Sequence, residues 1–198
     1  MDTATVERPR SRPAYGRPAA GGLPQARELA TLGTVLCLHR ARSGSALGGW
    51  AEAVDAAWHG AVESDGLRES LSFRNRHGQC CWRLYLLPDS DFLAWERLVG
   101  RLPREDCSAD DRDALGLRLW RRLGERLSGD FWRAGVLRLR ALPAQSRRNR
   151  AGGPWVLAAS LAEVSPAGMR VARRIAHREG AALDGAIDGC RDSRSGAG

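Results

Sequence analysis

The chain has 198 residues and a mass of 21.5 kDa, which suits one domain with loose ends. Its hydrophobic fraction of 43% and its seven tryptophans can fill a core, which excludes a small scaffold that depends on disulfides or metal ions. No apolar run reaches the roughly 18 residues that span a bilayer, and the N-terminus lacks the hydrophobic stretch of a signal peptide. We therefore expect a cytoplasmic protein that does not insert into a membrane.

The cysteines predict reduced thiols rather than disulfides or a metal site. They are five in number, and no two of them form the C-x-x-C pair of a structural zinc or redox site. Cys80 and Cys81 are adjacent, so in a strand their side chains would point to opposite faces. We interpret this pair as part of the packing.

The charge of the chain suggests one candidate function. The net charge is +8, and the 31 residues counted as Lys or Arg are all arginine. Because a basic chain can bind phosphates, an Arg-rich nucleic-acid-binding module is an alternative function for this protein. The arginines are dispersed, however, and only Arg147, Arg148 and Arg150 form a tight cluster. Codon bias also produces such a composition, and it is the interpretation that we favour.

Composition divides the chain into three parts. Residues 1–24 are rich in Pro, Gly, Ala and Arg without an apolar period, which predicts a disordered leader. Residues 181–198 are rich in glycine and predict a flexible tail. Residues 25–180 contain no internal repeat and predict a single domain, with an exposed loop at residues 145–153.

The predicted domain begins with a helix and a strand. Residues 24–32 predict a short helix that Gly33 closes, and the apolar run at residues 34–39 predicts a strand. Alternation along this strand places Cys37 and His39 on the same face.

A β-hairpin is the clearest predicted element. It comprises a strand at residues 71–73, a turn that ends in Gly78, and a second strand at residues 79–87. Three apolar side chains of the second strand share one face: Trp82, Leu84 and Leu86. The other face carries a thiol, a cation and a phenol: Cys81, Arg83 and Tyr85. Because these side chains have polar tips, a polar ligand could bind there.

Helices and further strands follow the hairpin. A helix begins near residues 88–91, where Asp89 or Ser90 can cap the free backbone N–H groups, and it ends at Pro103. Its predicted core stripe includes Phe92, Trp95 and Leu98. The remaining predictions are a helix over 111–127, strands over 131–142 and 155–158, and a helix from Ser165-Pro166 to near Gly180. Together these elements predict an α+β fold with an antiparallel sheet and packed helices.

Motifs of nucleotide-binding proteins and hydrolases are absent from the sequence. No Gly-rich phosphate loop follows a strand, and neither H-E-x-x-H nor G-x-S-x-G occurs. Of the four histidines, His77 falls in the hairpin turn and His177 in the last turn of a helix. His39, at a strand end, and His59, beside a predicted turn, remain as candidate ligands, and spacing does not choose between them.

The hairpin and the helix after it resemble a known family. The segment LSFRNRHGQCCWRLYLLPDSDFLAWERLVGRL is similar to the HemS/ChuX/HutX heme-utilisation proteins, whose strand, glycine turn, second strand and S-D-containing helix come in this order. Upstream, ARELATLGTVLCLHR and AAWHGAVE resemble the first helix and strand of the family and its Trp/His-Gly segment. The resemblance runs from Arg27 to Leu102, and the family's His-Lys dipeptide is here Trp82-Arg83. HemS-type members carry two such units, whereas this chain has room for one.

The resemblance implies that the protein binds non-covalent, b-type heme between sheet and helices. Heme needs an axial ligand for its iron and cationic or hydroxyl groups for its propionates. The implied iron ligands, in order of preference, are His39, His59 and the thiolate of Cys37. The implied propionate partners are Arg83 and Tyr85, followed by Arg40.

The implied function is hemin transport or utilisation, as an intracellular carrier or store of heme. The implied partners are heme, a second copy of the chain in a homodimer, and a heme-uptake transporter or a downstream heme acceptor. A heme-degrading enzyme is a further alternative, which would need an electron donor and an open distal site. A family member that is kept for protein interactions and does not bind heme is another. We assign no catalytic residue.

Overall fold

A curled sheet of seven strands organises the part of the chain that the structure describes. The structure is a computed structural model that describes residues 22–63, 66–105, 129–144 and 155–184. The predicted helix over 111–127, the predicted loop over 145–153 and most of the predicted leader and tail lie outside the described residues. Among the residues that are described, no helix is both long enough and apolar enough to cross a membrane.

The fold is α+β, as the sequence predicts, and its sheet is mostly antiparallel. In chain order, the elements are α1 (Ala26–Ala30), β1 (Thr34–Arg40), a 3₁₀ helix (Ala41–Ser43), α2 (Gly48–Glu52), β2 (Asp55–Glu63), β3 (Gly66–Arg74), β4 (Cys80–Tyr85), α3 (Phe92–Val99), β5 (Trp132–Pro143), β6 (Trp155–Leu161), α4 (Pro166–Glu179) and β7 (Ala182–Leu183). The strand order is β2-β3-β4-β1-β5-β6, and β7 pairs with β5 in parallel. The sheet therefore extends past residue 180, where the sequence predicts a flexible tail.

Both faces of the sheet carry a buried core. On the first face, apolar side chains of the strands pack beneath α1, α2 and α3, and these include Val35, Cys37, Phe73, Trp82 and Leu84. On the second face, α4 covers another set, which includes Leu36, Leu38, Tyr85, Ala172 and Ile175. Because β1 lies between β4 and β5, its alternating side chains enter both cores.

The start of α3 differs from the prediction. Asp91 is the N-cap, and its carboxylate accepts a hydrogen bond from the Ala94 N–H at 2.8 Å. Asp89 instead accepts from the backbone N–H and the hydroxyl of Ser165, at 2.8 and 3.0 Å. The hydroxyl of Ser90 donates to the Thr34 carbonyl at 2.5 Å. The predicted capping residues therefore fasten α3 to α4 and to the sheet.

Two predicted burial patterns are wrong. Phe92 is 52% exposed, because it lies outside the buried arc of α3 that Trp95 and Leu98 define. Cys81 does not share the face of Arg83, because a register shift opposite Phe73 makes Cys81 an extra residue in β4. Its thiol joins the core of the first face and donates to the Gly49 carbonyl at 3.2 Å.

Candidate functional site

Polar side chains from three neighbouring strands gather on the second face of the sheet, beside the end of α4. His59 lies opposite Ser70 in the register of β2 and β3, and Ser70 lies opposite Tyr85 in the register of β3 and β4. Paired residues of antiparallel strands face the same side, so β2, β3 and β4 all contribute to this surface. We call the following seven residues the polar cluster: His59, Arg68, Ser72, Arg83, Tyr85, Glu105 and Glu179.

His59 lies within β2, although the sequence pattern places it next to a turn. Its Nε2 atom is 2.7 Å from the Ser72 hydroxyl and 3.0 Å from the Glu105 carboxylate. Burial lowers the pKa of His59, and although Glu105 opposes this shift, Arg83 and Arg74 reinforce it. The imidazole is therefore neutral at pH 7 and retains a lone pair that a metal can accept.

The group Ser72, His59 and Glu105 is not a hydrolytic triad. In such a triad the histidine uses one ring nitrogen for the nucleophile and the other for the carboxylate. Here both partners contact Nε2, and Ser72 is only 4% exposed. The arrangement can hold a neutral imidazole in place, but it does not present a serine nucleophile.

Arg83 and Arg68 approach one carboxylate at the end of α4. Nη1 of Arg83 donates to Glu179 at 2.9 Å, and Nη1 of Arg68 lies 3.9 Å from the other oxygen of Glu179. Arg83 also donates from Nε to the sulfur of Cys80 at 3.3 Å. Tyr85 is buried beside them, and burial together with Glu179 raises the pKa of its hydroxyl, which therefore stays protonated.

His39 lies on the first face, away from the polar cluster. It pairs with Trp82 in β4 and with Arg133 in β5. Its ring nitrogens are 3.3 Å from the Arg40 carbonyl and 3.8 Å from the Asp184 carboxylate, and burial lowers its pKa. The sheet therefore separates His39 from Arg83 and Tyr85, whereas it brings His59 together with them.

Arg40 lies on the second face beside the polar cluster, and the Arg83 guanidinium lies 5.6 Å from the centre of the same Trp132 ring that Arg40 covers. Cys37 lies on the first face, in its core. Arg40 donates to the Asp130 carbonyl at 3.0 Å, and its guanidinium lies 4.1 Å above the Trp132 ring. It lines a polar cleft of about 660 Å³, together with Arg42, Ser43, Glu52, Asn75, Gln79, Cys80, Cys81 and Asp130. Cys37 is fully buried, and burial raises the pKa of its thiol, which disfavours a thiolate ligand there.

Four members of the polar cluster were not predicted as site residues: Arg68, Ser72, Glu105 and Glu179. Period-two alternation in β3 places Arg68, Ser70 and Ser72 on one face, so a strand pattern could have indicated two of them. Glu105 and Glu179 come from segments far along the chain, and no local pattern points to them.

Several of the described arginines form ion pairs with carboxylates. Arg74 pairs with Glu105, Arg101 with Glu28 and Arg133 with Asp184. In each of these pairs a carboxylate offsets the charge of the arginine, and the Arg147–Arg150 cluster lies outside the described residues. In the part of the chain that the structure describes, no three His, Cys, Asp or Glu side chains form a group that could hold a metal ion.

Comparison of the chain with known proteins returns no match. This holds for protein-family models, for curated proteins and for solved structures.

Proposed function

We propose that this chain is a cytoplasmic heme-binding protein, a single HemS/ChuX-like unit that carries or stores heme at the polar cluster. The observation that carries the proposal is that His59, Arg83 and Tyr85 lie on one face of the sheet. Heme binding needs an imidazole for the iron and charge-assisted hydrogen bonds for two carboxylates, and these residues offer both. The resemblance of the hairpin and α3 to heme-utilisation proteins favours the same ligand.

The chemistry of the polar cluster fits this ligand. His59 is neutral at pH 7, and 24% of its side chain is exposed to solvent. Arg68 and Arg83 provide cations for carboxylates, and the protonated hydroxyl of Tyr85 provides a neutral donor. When bound, heme supplies an iron that accepts an axial nitrogen and propionates that accept hydrogen bonds.

Ligation through Nε2 requires the neutral His59 ring to move its proton from Nε2, which faces the Glu105 carboxylate, to Nδ1, and to exchange its present contacts. Nε2 lies against Ser72 and Glu105, so both must give way to the iron. The side chain of Glu105 is 37% exposed, and a partly exposed carboxylate that leaves its hydrogen bond to the neutral imidazole regains hydration from water. Release of Glu105 is therefore a small part of the cost of binding.

His39 is the second candidate for the iron ligand. It is 6% exposed, and the sheet lies between it and the arginines that would hold the propionates. Its use would require a binding site on the first face, between β1, β4 and β5. The two candidate iron ligands therefore lead to different expected results for His39→Ala and His59→Ala.

A hemin titration of the reduced full-length protein, followed by the Soret band, tests the proposal. We expect saturation near one heme per chain, and we expect His59→Ala to change the ligand-field bands and to weaken binding about tenfold or more, which is about 1.4 kcal/mol. His77→Ala, in the exposed hairpin turn, is the matched control and should leave the spectrum unchanged.

Two results would overturn the proposal. Absence of a saturable Soret shift would exclude heme as the ligand, and the salt dependence of nucleic-acid binding would then be measured. A spectral change in His39→Ala but not in His59→Ala would move the ligand to the first face and exclude the polar cluster.

A further inference from the structure

Glu179 lies where a negative charge is unfavourable. It is the last residue of α4, directly before the C-cap Gly180, and the C-terminal end of a helix carries partial negative charge. Its neighbours His177 and Arg178 are exposed, whereas the side chain of Glu179 is only 18% exposed. Groups on the sheet must therefore compensate the carboxylate.

The compensating groups are two guanidinium groups from separate strands. Arg83 of β4 donates to one carboxylate oxygen at 2.9 Å, and Arg68 of β3 lies 3.9 Å from the other oxygen. The Arg68 guanidinium also lies 6.0 Å from the centre of the Tyr85 ring. Two cations thus share one internal carboxylate, on the same face as the neutral imidazole of His59.

We propose that Glu179 determines the ligand specificity of this site: it occupies the position of a ligand carboxylate between Arg68 and Arg83, and a ligand must bring its own carboxylate to replace it. This inference rests on the proposed function. When a tetrapyrrole with free propionates binds, its carboxylate takes the place of the Glu179 carboxylate. Arg68 and Arg83 therefore remain paired with a negative charge. An esterified tetrapyrrole offers the arginines no anion and leaves Glu179 in place.

Replacement by a ligand carboxylate also lets the negative charge of Glu179 move away from the C-terminal end of α4. Once displaced, its side chain can turn from the end of α4 into water, where the charge of the helix end is screened. The contact of Glu179 with Arg83 therefore competes with the ligand. Weakening that contact should strengthen the binding of carboxylated tetrapyrroles and leave their esters unaffected.

Metal-free protoporphyrin IX and its dimethyl ester test this inference in the full chain. Both are fluorescent, and neither has an iron that could bind His59. We expect Glu179→Gln to bind the free acid about tenfold more tightly than the unsubstituted protein, with no change for the ester. Glu96→Gln removes one exposed carboxylate on α3, on the first face, and is the matched control for charge.

A milder variant distinguishes loss of the Glu179 contact from a folding defect. Glu179→Asp keeps the charge but shortens the reach toward both arginines, and an intermediate gain in affinity for the free acid is expected. Circular dichroism of each variant verifies the fold. No gain in either variant, or an equal gain for acid and ester, would overturn the inference, and this includes the case in which neither porphyrin binds. The hemin titration is read separately through His59, so the proposed function can stand when the role of Glu179 fails.

Discussion

Arg133 and Asp184 join the last strand to β5 through two hydrogen bonds. Nε and Nη2 of Arg133 donate to one oxygen of Asp184, at 3.0 and 2.5 Å, and the backbone N–H of Asp184 donates to the Ala134 carbonyl. The other oxygen of Asp184 lies 3.8 Å from Nε2 of His39. A buried imidazole thus lies beside the ion pair that holds the end of the sheet.

The first prediction concerns stability against pH. Burial lowers the pKa of both His39 and His59 below the ordinary value of 6.5, so the unfolded chain binds these two protons at a higher pH than the folded chain. The stabilisation is complete above about pH 6.5 and decreases as the pH falls toward the folded-state values. Urea unfolding at pH 7.5, 6.5 and 5.5 should show this decrease. The double variant His39→Gln/His59→Gln should flatten it, whereas His77→Gln should not.

The second prediction concerns the ion pair of Arg83 and Glu179. Its side chains are 33% and 18% exposed, so Arg83→Met leaves a partly buried carboxylate without its main donor. We expect a loss of about 1–3 kcal/mol in the free energy of unfolding. Arg101→Met breaks a pair with Glu28 in which the arginine is 60% exposed, and it should cost less than about 1 kcal/mol. Equal losses in the two variants would contradict a special role for Arg83.

The third prediction concerns the contact of α2 with β4. A Cβ atom on Gly49 would collide with the backbone carbonyl of Cys81 and would lie 3.0 Å from Cβ of Trp82. Because backbone cannot move as freely as a side-chain tip, Gly49→Ala should destabilise the fold by about 1–3 kcal/mol. At Gly22 the added Cβ would meet nothing within 4 Å, so Gly22→Ala should be close to neutral in the same denaturation experiment.

The fourth prediction concerns thiol reactivity. Burial raises the pKa of Cys37, and it raises the pKa of Cys81 to about 11, whereas the side chain of Cys80 is only partly buried. In a chain that carries Cys107→Ser and Cys190→Ser, iodoacetamide should therefore modify Cys80 first. Mass spectrometry of peptides against time measures the order. Faster modification of Cys37 would mean that the core of the first face opens readily.

Local signals in the sequence predict much of the secondary structure. Ser165 and Gly180 mark the ends of α4 as expected: the Ser165 hydroxyl accepts from the Gly168 N–H, and Gly180 has a φ of 69°. The fold class follows because the predicted strands and helices that fall on described residues occur in the structure in the same order, whereas α2, β2 and β7 were not predicted. Asp89 shows the limit of such signals, because its partner Ser165 lies 76 residues away.

The composition of the candidate site could be predicted only in part. Alternation shows which residues share a face within one strand, so it pairs Arg83 with Tyr85. It does not show which faces of two strands coincide, because a shift of one residue in register reverses the relation. In the structure His39 lies opposite Trp82, one position before Arg83, and this register alone places His39 and Arg83 on different faces.

The position of β1 in the sheet has a consequence for folding during synthesis. Strands β2, β3 and β4 follow one another closely in the chain, and they can pair through short connections as the chain leaves the ribosome. One edge of β1 remains unpaired until β5 has been synthesised, since Leu36 pairs with Val136. Such distant pairing is slow, and it leaves an apolar strand edge exposed in the meantime. A nascent chain that stops before residue 132 should therefore aggregate or require a chaperone, and the folded yield should rise sharply once β5 has been made.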